Sequence, residues 1–566
     1  MKPGLLGVLS AAIAVAASVQ GVAQGTGSEG NGPVKHVLLL SVDGMHAVDF
    51  LNCSQGVKGV NGGAPYCPNL AALGQTAVNY VAASTSRPSD SFPGLMALVT
   101  GATPKTMGVY YDVGYDRSLD APAKTTGNGV AAGPCTAFGV PTGSRAEYEE
   151  GIDLDQSKLN GGAPGAGLTD GGLASIDPLR LPRDPAAGCA PVYPWNYVRT
   201  NTIFGVIHAA GGYTAWADKH PAYASVAGPG GTSLDDFYAP EINSNVIALP
   251  GVQIATGESC AAVRDTQGDL TAWTNSFQNI QCYDQLKVNA ILNQIKGKTH
   301  TGAVGKVPAI FGMNYQAVSV GQKLIEGSVG TGGYKNAEGV PTPELLKEIE
   351  YVDASIGQMV DGLKDTGHFE DTLIIVTAKH GQSPIDPALY RANGTVTPAT
   401  LLESELPLSE SPANPTGIGP TQDDVSLLWL KNGASVKNAV DTLEKNAAAI
   451  GLGQIFYGPA LALNYNVPGL GPGEDPRSPD IIVTPNVGVT YSNSKAKRSE
   501  HGGFSHDDTN VVLLLANPVL TAKTVSAFTS TAQVAPTILR ALGLDPNKLQ
   551  GVQQEGTAIL PGLPVQ

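Results

Sequence analysis

Charge is scarce in this chain of 566 residues: Asp, Glu, Lys and Arg together make up only 15%. The 34 basic residues fall short of the 49 acidic ones, giving a formal net charge of −15. No Lys/Arg-rich run occurs, which argues against a nucleic-acid-binding surface. Long apolar runs are scarce too. Beyond a stretch near the N-terminus, nothing approaches the ~20 apolar residues needed to span a bilayer, so no transmembrane segment is expected. The six cysteines show no CxxC spacing, which removes a structural zinc site. There is no internal repeat and no Gly-X-Y period, so collagen is excluded.

What is present points to an exported globular protein. Hydrophobic residues at 42% can build a sizeable core. The 70 glycines and 41 prolines belong in loops and turns. Lys2, an apolar stretch from Leu5 to Val19 and small residues through Ala23 read as a signal peptide over 1–23. The expected location is secreted or periplasmic. An oxidising compartment suits disulfides among Cys53, Cys67, Cys135, Cys189, Cys260 and Cys282. Six cysteines allow 15 connectivities; sequential pairing (53–67, 135–189, 260–282) is the expectation.

Short apolar runs at Val37–Val42, Ala309–Gly312, Leu373–Thr377, Ile481–Val483 and Val511–Leu515 read as buried strands. Helical patterns separate them at Asn69–Ala77, Ser91–Thr100, Asn201–Ala210, Glu344–Lys364 and Ser530–Leu542. Such alternation predicts an α/β sandwich on a mainly parallel sheet. Ligands then bind beyond the carboxyl ends of strands, where Asp43 and His380 fall. Residues 24–566 are expected to form one domain. A Gly/Pro-rich loop at about 116–193 and a small α+β cap at about 386–480 interrupt it.

Six segments in order carry a family resemblance. Val37-Leu-Leu-Leu-Ser-Val-Asp-Gly44 resembles the first strand and metal-binding Asp of the alkaline-phosphatase superfamily, in its type I phosphodiesterase/nucleotide pyrophosphatase branch. Pro68-Asn-Leu-Ala-Ala-Leu73 is similar to the helix that follows. Ser91-Phe-Pro-Gly-Leu-Met-Ala-Leu-Val-Thr-Gly101 resembles the nucleophile segment. Glu348–Gly367 and the strand to His380-Gly381 resemble the long helix and the Asp-His-Gly motif. Arg498-Ser-Glu-His-Gly-Gly503 is similar to the last metal-histidine motif, and Gln533-Val-Ala-Pro-Thr-Ile-Leu539 to the closing helix. The resemblance implies an alkaline-phosphatase-like α/β/α sandwich. It also implies Ser91 as nucleophile and a metal held by Asp43, Ser91, His380 and His501. A serine at a helix start also faces backbone N–H groups that favour an anion.

Departures from the family pattern shape the expected chemistry. Val318 and Gln322 stand where the family's Asp-x-x-x-His ligands belong, and Lys379 takes the Asp of Asp-His-Gly. The family sets three Asp carboxylates against two dications. Here Asp43 and the Lys379 ammonium leave a ligand charge near zero, so two ions would repel each other uncompensated. One divalent metal, zinc by resemblance, is expected rather than two. Lys379 is a candidate catalytic group standing in for the second ion. Lys219, His220, Arg117 and Gln322 are candidate substrate-binding residues. His46, Asp49, Asp218, His506, Asp507 and Asp508 are possible substitute ligands.

The expected activity is hydrolysis of phosphodiester or related phosphate esters through a covalent Ser91 intermediate, with a small anionic ester as partner. A phosphomonoesterase, phosphonate hydrolase or sulfatase is the alternative within enzymes. The formylglycine signature, Cys or Ser then x-Pro-x-Arg, is absent around Ser91. A catalytically degenerate ligand-binding member is the alternative outside them. Oligomeric state is not readable from the sequence.

Overall fold

In the computed structural model, residues 1, 34–149, 152, 154, 155, 158, 172–243, 249, 251–260, 273–415, 419–492 and 494–563 are described. The expected signal peptide lies outside them except for Met1. Residues 33–566 form one compact unit.

The strands of the central sheet are β1 (His36–Val42), β2 (Ala77–Tyr80), β3 (Ala215–Ala217), β4 (Asp236–Tyr238), β5 (Ile310–Tyr315) and β6 (Thr372–Thr377). Three cap strands follow: β7 (Ser426–Leu428), β8 (Leu452–Tyr457) and β9 (Ile481–Pro485). The chain then returns to the sheet with β10 (Leu513–Ala516) and β11 (Lys523–Val525). The spatial order is β11-β2-β10-β6-β1-β5-β3-β4. β1 pairs in parallel with β5 and β6, and β5, β3 and β4 continue in parallel. Only β10 runs against its neighbours. The sheet is therefore mainly parallel.

Period-two alternation divides each strand between two cores. Leu38, Leu40, Ile374, Val376 and Leu514 join one apolar cluster, and Val37, Leu39, Leu373, Ile375, Leu513 and Leu515 the other. Helices cover both faces, so the strands read as continuous apolar runs. The helices used below are α1 (Ser91–Thr100), α2 (Phe277–Ile295), α3 (Ala317–Lys323), α4 (Pro343–Thr366) and α5 (Val436–Lys445). The start and stop of α4 are written locally: Thr342 accepts from the Leu345 N–H, Pro343 opens the helix, and Gly367 closes it at φ +78.

One strand falls elsewhere than expected. The run at Ile481–Val483 belongs to the cap sheet, between β7 and β8, rather than to the central sheet. Burial on both faces misled the reading, because the cap buries both of its own. Leu428, Ile481 and Val483 pack with α5 on one side, and Leu427, Trp429 and Ile482 pack with Tyr110, Tyr111 and Tyr465 on the other. The three disulfides are Cys53–Cys67, Cys135–Cys189 and Cys260–Cys282, the sequential pairing.

Candidate active site

The carboxyl ends of four neighbouring parallel strands deliver the candidate residues to one place. β1 ends at Asp43, β3 at Asp218-Lys219-His220, β5 at Asn314 to Gln316, and β6 at Lys379-His380. Ser91 starts α1, which is buried along its whole length. Gly94 lets α1 lie against the end of β6: a Cβ there would stand 2.0 Å from the Lys379 carbonyl oxygen. The approach requires glycine.

Lys219 Nζ donates to Ser91 Oγ at 3.1 Å and pairs with Glu149. Lys379 is fully buried, and its Nζ contacts both oxygens of Asp218 at 2.9 and 3.1 Å. Asp218 also accepts from the Trp216 indole N–H at 2.9 Å. The Tyr223 ring lies 3.9 Å from the Lys379 ammonium and 5.9 Å from that of Lys219. Such contacts suit a cation on an aromatic face. Lys379 is thus a charge with a dedicated buried partner, rather than a lysine reaching for solvent.

Asp43 is saturated. Its Oδ1 accepts from the Asn314 side-chain amide at 2.7 Å and its Oδ2 from the Gln316 amide at 2.7 Å. His380 Nε2 lies 3.6 Å from Oδ2. Burial raises the Asp43 pKa, but the charges of Lys379, His380 and Lys219 together with the His380 hydrogen bond outweigh it and hold the carboxyl well below its usual range. The His380 and His501 rings lie tilted with centroids 4.0 Å apart. Burial, then the charges of His380, Lys323, Lys219 and Lys497, push His501 well below the ordinary histidine range.

These contacts test whether the family's paired zinc ions fit this chain, and they do not. An ion at Asp43 would have to displace two amide donors that cannot ligate through nitrogen. It would also sit beside the Lys379 ammonium. Val318 is buried and apolar, and Gln322 points elsewhere, donating to the Gly44 carbonyl at 2.7 Å and to the Tyr334 hydroxyl at 2.8 Å. The expected single ion on Asp43, Ser91, His380 and His501 meets the same obstacle at Asp43.

The remaining candidates divide. His46 and Asp49 are tied to each other at 3.1 Å and to Tyr334, in a buried network beneath α3. His220 is held by Glu241 at 2.7 Å. Arg117, expected among the substrate cations, instead pairs with Asp480 and donates to the Ser478 carbonyl at 2.9 Å, tying the long insertion to the cap. Asp508 is capped by Ser505 on the loop that carries His501. His506 heads the short helical turn after that cap, and Asp507 accepts from the Ile385 N–H.

Sequence reasoning missed Asn314 and Gln316 as partners of Asp43, although both lie in the segment where ligands were sought. It also missed Asp90, Asp112 and Glu149, whose oxygens converge within 4.8 Å of one another beside Ser91. Asp90 could have been noticed as the residue before the nucleophile position. Nothing local to Glu149 marks it.

The fold is an alkaline-phosphatase-like α/β sandwich on a mainly parallel sheet, and the family match that follows marks a hydrolase. The sequence matches the model of the type I phosphodiesterase/nucleotide pyrophosphatase family over residues 37–138 and 330–507. It is similar in fold to murine ectonucleotide pyrophosphatase/phosphodiesterase 5, with 14% identity over 90% of this chain and 96% of that one and a TM-score of 0.50. An inactive variant of the murine protein in complex with AMP gives 13% identity, the same coverage and a TM-score of 0.51. No curated protein matches the sequence.

Proposed function

We propose that this chain is an exported hydrolase of phosphodiester or pyrophosphate bonds in small nucleotide-like anions, acting through a covalent Ser91 intermediate. The carrying observation is the Lys219 Nζ to Ser91 Oγ hydrogen bond of 3.1 Å at the N-terminus of a buried helix. An ammonium donating to Oγ favours the alkoxide over the alcohol. Attack of Oγ on phosphorus forms the Oγ–P bond and breaks the bond to the leaving oxygen. The serine proton ends on the leaving oxygen, so the step balances without an external acid or base. Water then displaces Oγ from phosphorus and Ser91 regains a proton.

Phosphoryl transfer is mostly positioning and charge stabilisation. Lys219 supplies fixed positive charge beside Oγ, while the Lys379 ammonium is taken up by Asp218. The cavity is about 130 Å³ and is lined by Lys219, Lys323, Lys497, His380 and His501 among others. The three lysines share this lining with Asp112, Glu149, Asp423 and Glu500, so an anionic ester would be held by individual lysines rather than by a net positive field. The bound AMP of the murine relative supports a nucleotide-like substrate. The three disulfides support export, and no helix among the described residues is long and apolar enough to cross a membrane.

The test is hydrolysis of an aryl phosphodiester, a phosphomonoester and a sulfate ester by wild type and Ser91→Ala. Diester turnover reduced at least ~100-fold in the variant, together with a trapped phosphoserine in wild type, is expected. Turnover equal in both proteins would remove Ser91 from the mechanism, and none in either would favour a ligand-binding protein.

A further inference from the structure

We propose that one divalent cation binds between Asp90, Asp112 and Glu149, with Nδ1 of His501 as its nitrogen ligand. This site is separate from the Asp43 position that the family pattern would use. The three carboxyl groups each offer an oxygen within 4.8 Å of the others. The Asp90 side chain is fully buried and Glu149 is 3% exposed.

The bonding is one-sided. Asp90 Oδ2 accepts from the Asp112 N–H at 2.9 Å, while its Oδ1 has no hydrogen-bond partner among the described residues. Glu149 pairs with Lys219 through Oε1, while its buried Oε2 likewise has none. Asp112 Oδ1 accepts from the Val113 N–H at 2.7 Å. From a different element, His501 presents Nδ1, also without a hydrogen-bond partner, 3.5 Å from Asp90 Oδ1. Orphaned buried carboxylate oxygens are costly. Here two of them belong to residues of one carboxylate cluster, and the His501 nitrogen lies beside one of them.

Charge points the same way. Three carboxylates against the Lys219 ammonium leave −2, which one dication cancels. Asp43 offers a single carboxylate, already bonded to two amides. Glu149, Asp112 and His501 line the cavity, which gives an ion its entry. Carboxylate oxygens with one imidazole suit Mn²⁺ or Zn²⁺ better than an all-oxygen ion such as Ca²⁺. Under the function proposed above the ion would lie beside the nucleophile, since Asp90 precedes Ser91 and Lys219 bridges Glu149 to Ser91. Its binding does not depend on that function.

Binding of Mn²⁺ to the chelator-stripped full chain, followed by calorimetry and by the EPR signal of the ion, tests the proposal. One Mn²⁺ per chain is expected. Asp112→Asn should weaken binding at least ~10-fold, and His501→Gln should change the EPR spectrum of the bound ion. Asp43→Asn should leave the affinity within about threefold, against the second-coordination effects that ligand neighbours produce; His380→Gln serves the same purpose if Asp43→Asn does not fold. Thermal unfolding of each variant separates lost sites from lost folds. Absence of binding in wild type overturns the proposal. So does binding abolished by Asp43→Asn or His380→Gln but kept in Asp112→Asn. Serine-dependent turnover with no bound Mn²⁺ would overturn this site while leaving the proposed function standing.

Discussion

Ser91 stands between two acidic neighbourhoods that solve the same problem differently. On one flank, Asp43 and Asp218 are answered in full: amides from Asn314 and Gln316 hold the first, and the Lys379 ammonium and the Trp216 N–H hold the second. On the other, Lys219 pairs with Glu149 alone of the cluster Asp90, Asp112 and Glu149, and two buried oxygens have no hydrogen-bond partner among the described residues. The pKa directions follow the nearest charge. Asp43 is held down chiefly by Lys379 against its burial and Glu149 chiefly by Lys219 against its own, whereas Asp90 is pushed up by burial and Glu149. Similar burial thus gives opposite outcomes, and the difference lies in the sign of the charge beside each carboxyl. A family's ligand position is no guide to where an ion can sit once its charges have internal partners.

The sharpest way to break this comparison is to remove an answer from the saturated flank. Lys379→Met leaves the Asp218 carboxylate buried with no cation, holding only the Trp216 indole and the Lys219 backbone N–H as donors. A broken buried ion pair costs about 3–5 kcal/mol, so a large loss in denaturant-measured stability is expected. Adding Asp218→Leu should recover a substantial part of it, because the uncompensated charge is then gone. A single-variant loss below about 1 kcal/mol would fit an exposed pair instead and would end the claim that this flank is saturated.

A second saturated carboxylate, away from Ser91, tests whether the nearest charge sets the sign. Asp475 accepts from Arg199 at 2.6 and 2.8 Å, from the Tyr110 hydroxyl at 3.0 Å and from the Asn466 amide at 2.8 Å. Burial raises its pKa, but the hydrogen bonds and charge of Arg199 outweigh it and hold the carboxyl far below its usual range. A depressed carboxyl stabilises the fold above its unfolded pKa of about 4, and the contribution is lost as pH falls through the folded value. Asp475→Asn should cost about 1–2 kcal/mol near neutrality, discounted because Arg199 is partly exposed. The deficit relative to wild type should shrink in acid. A deficit that stays constant with pH would mean that ionisation of Asp475 contributes nothing.

The saturated flank also shows how much could be read in advance. The places of Asp43, Ser91 and His380 were legible because each follows a strand or begins a helix inside a recognisable motif, whereas His501 lies on a loop and was marked by its motif alone. The central sheet was legible for a related reason: strands buried on both faces are continuous apolar runs, as at Val37–Val42 and Leu373–Thr377. Lys379 was noticed because it replaces an acid in a motif. Its partner was not assigned, since Asp218 lies 161 residues away and pairs with it only because β3 and β6 end at the same edge of the sheet. Glu149 was invisible for the same physical reason. It meets Asp90 across the start of the long insertion, and no local pattern records a tertiary meeting. The strand at Ile481–Pro485 was given to the wrong sheet because burial on both faces does not say which core supplies it.

The smallest expected effect concerns Arg117, which sequence reading placed among the substrate cations. Its guanidinium is spent on Asp480 and on backbone carbonyls of the cap, and it is not among the residues lining the cavity. Burial raises the pKa of Asp480 despite the Arg117 charge, so that carboxyl can become neutral when its partner is lost. Arg117→Gln should therefore lower stability by about 1 kcal/mol and leave kcat/KM for a phosphodiester within about twofold, a change of ~0.4 kcal/mol in transition-state binding. Lys219→Gln in the same assay should reduce kcat far more, because it removes the donor to Ser91 Oγ. Equal losses for the two variants would mean that bulk positive charge, rather than the cation placed on the nucleophile, governs capture of the anion. The contrast between the two flanks of Ser91 would then have no bearing on catalysis.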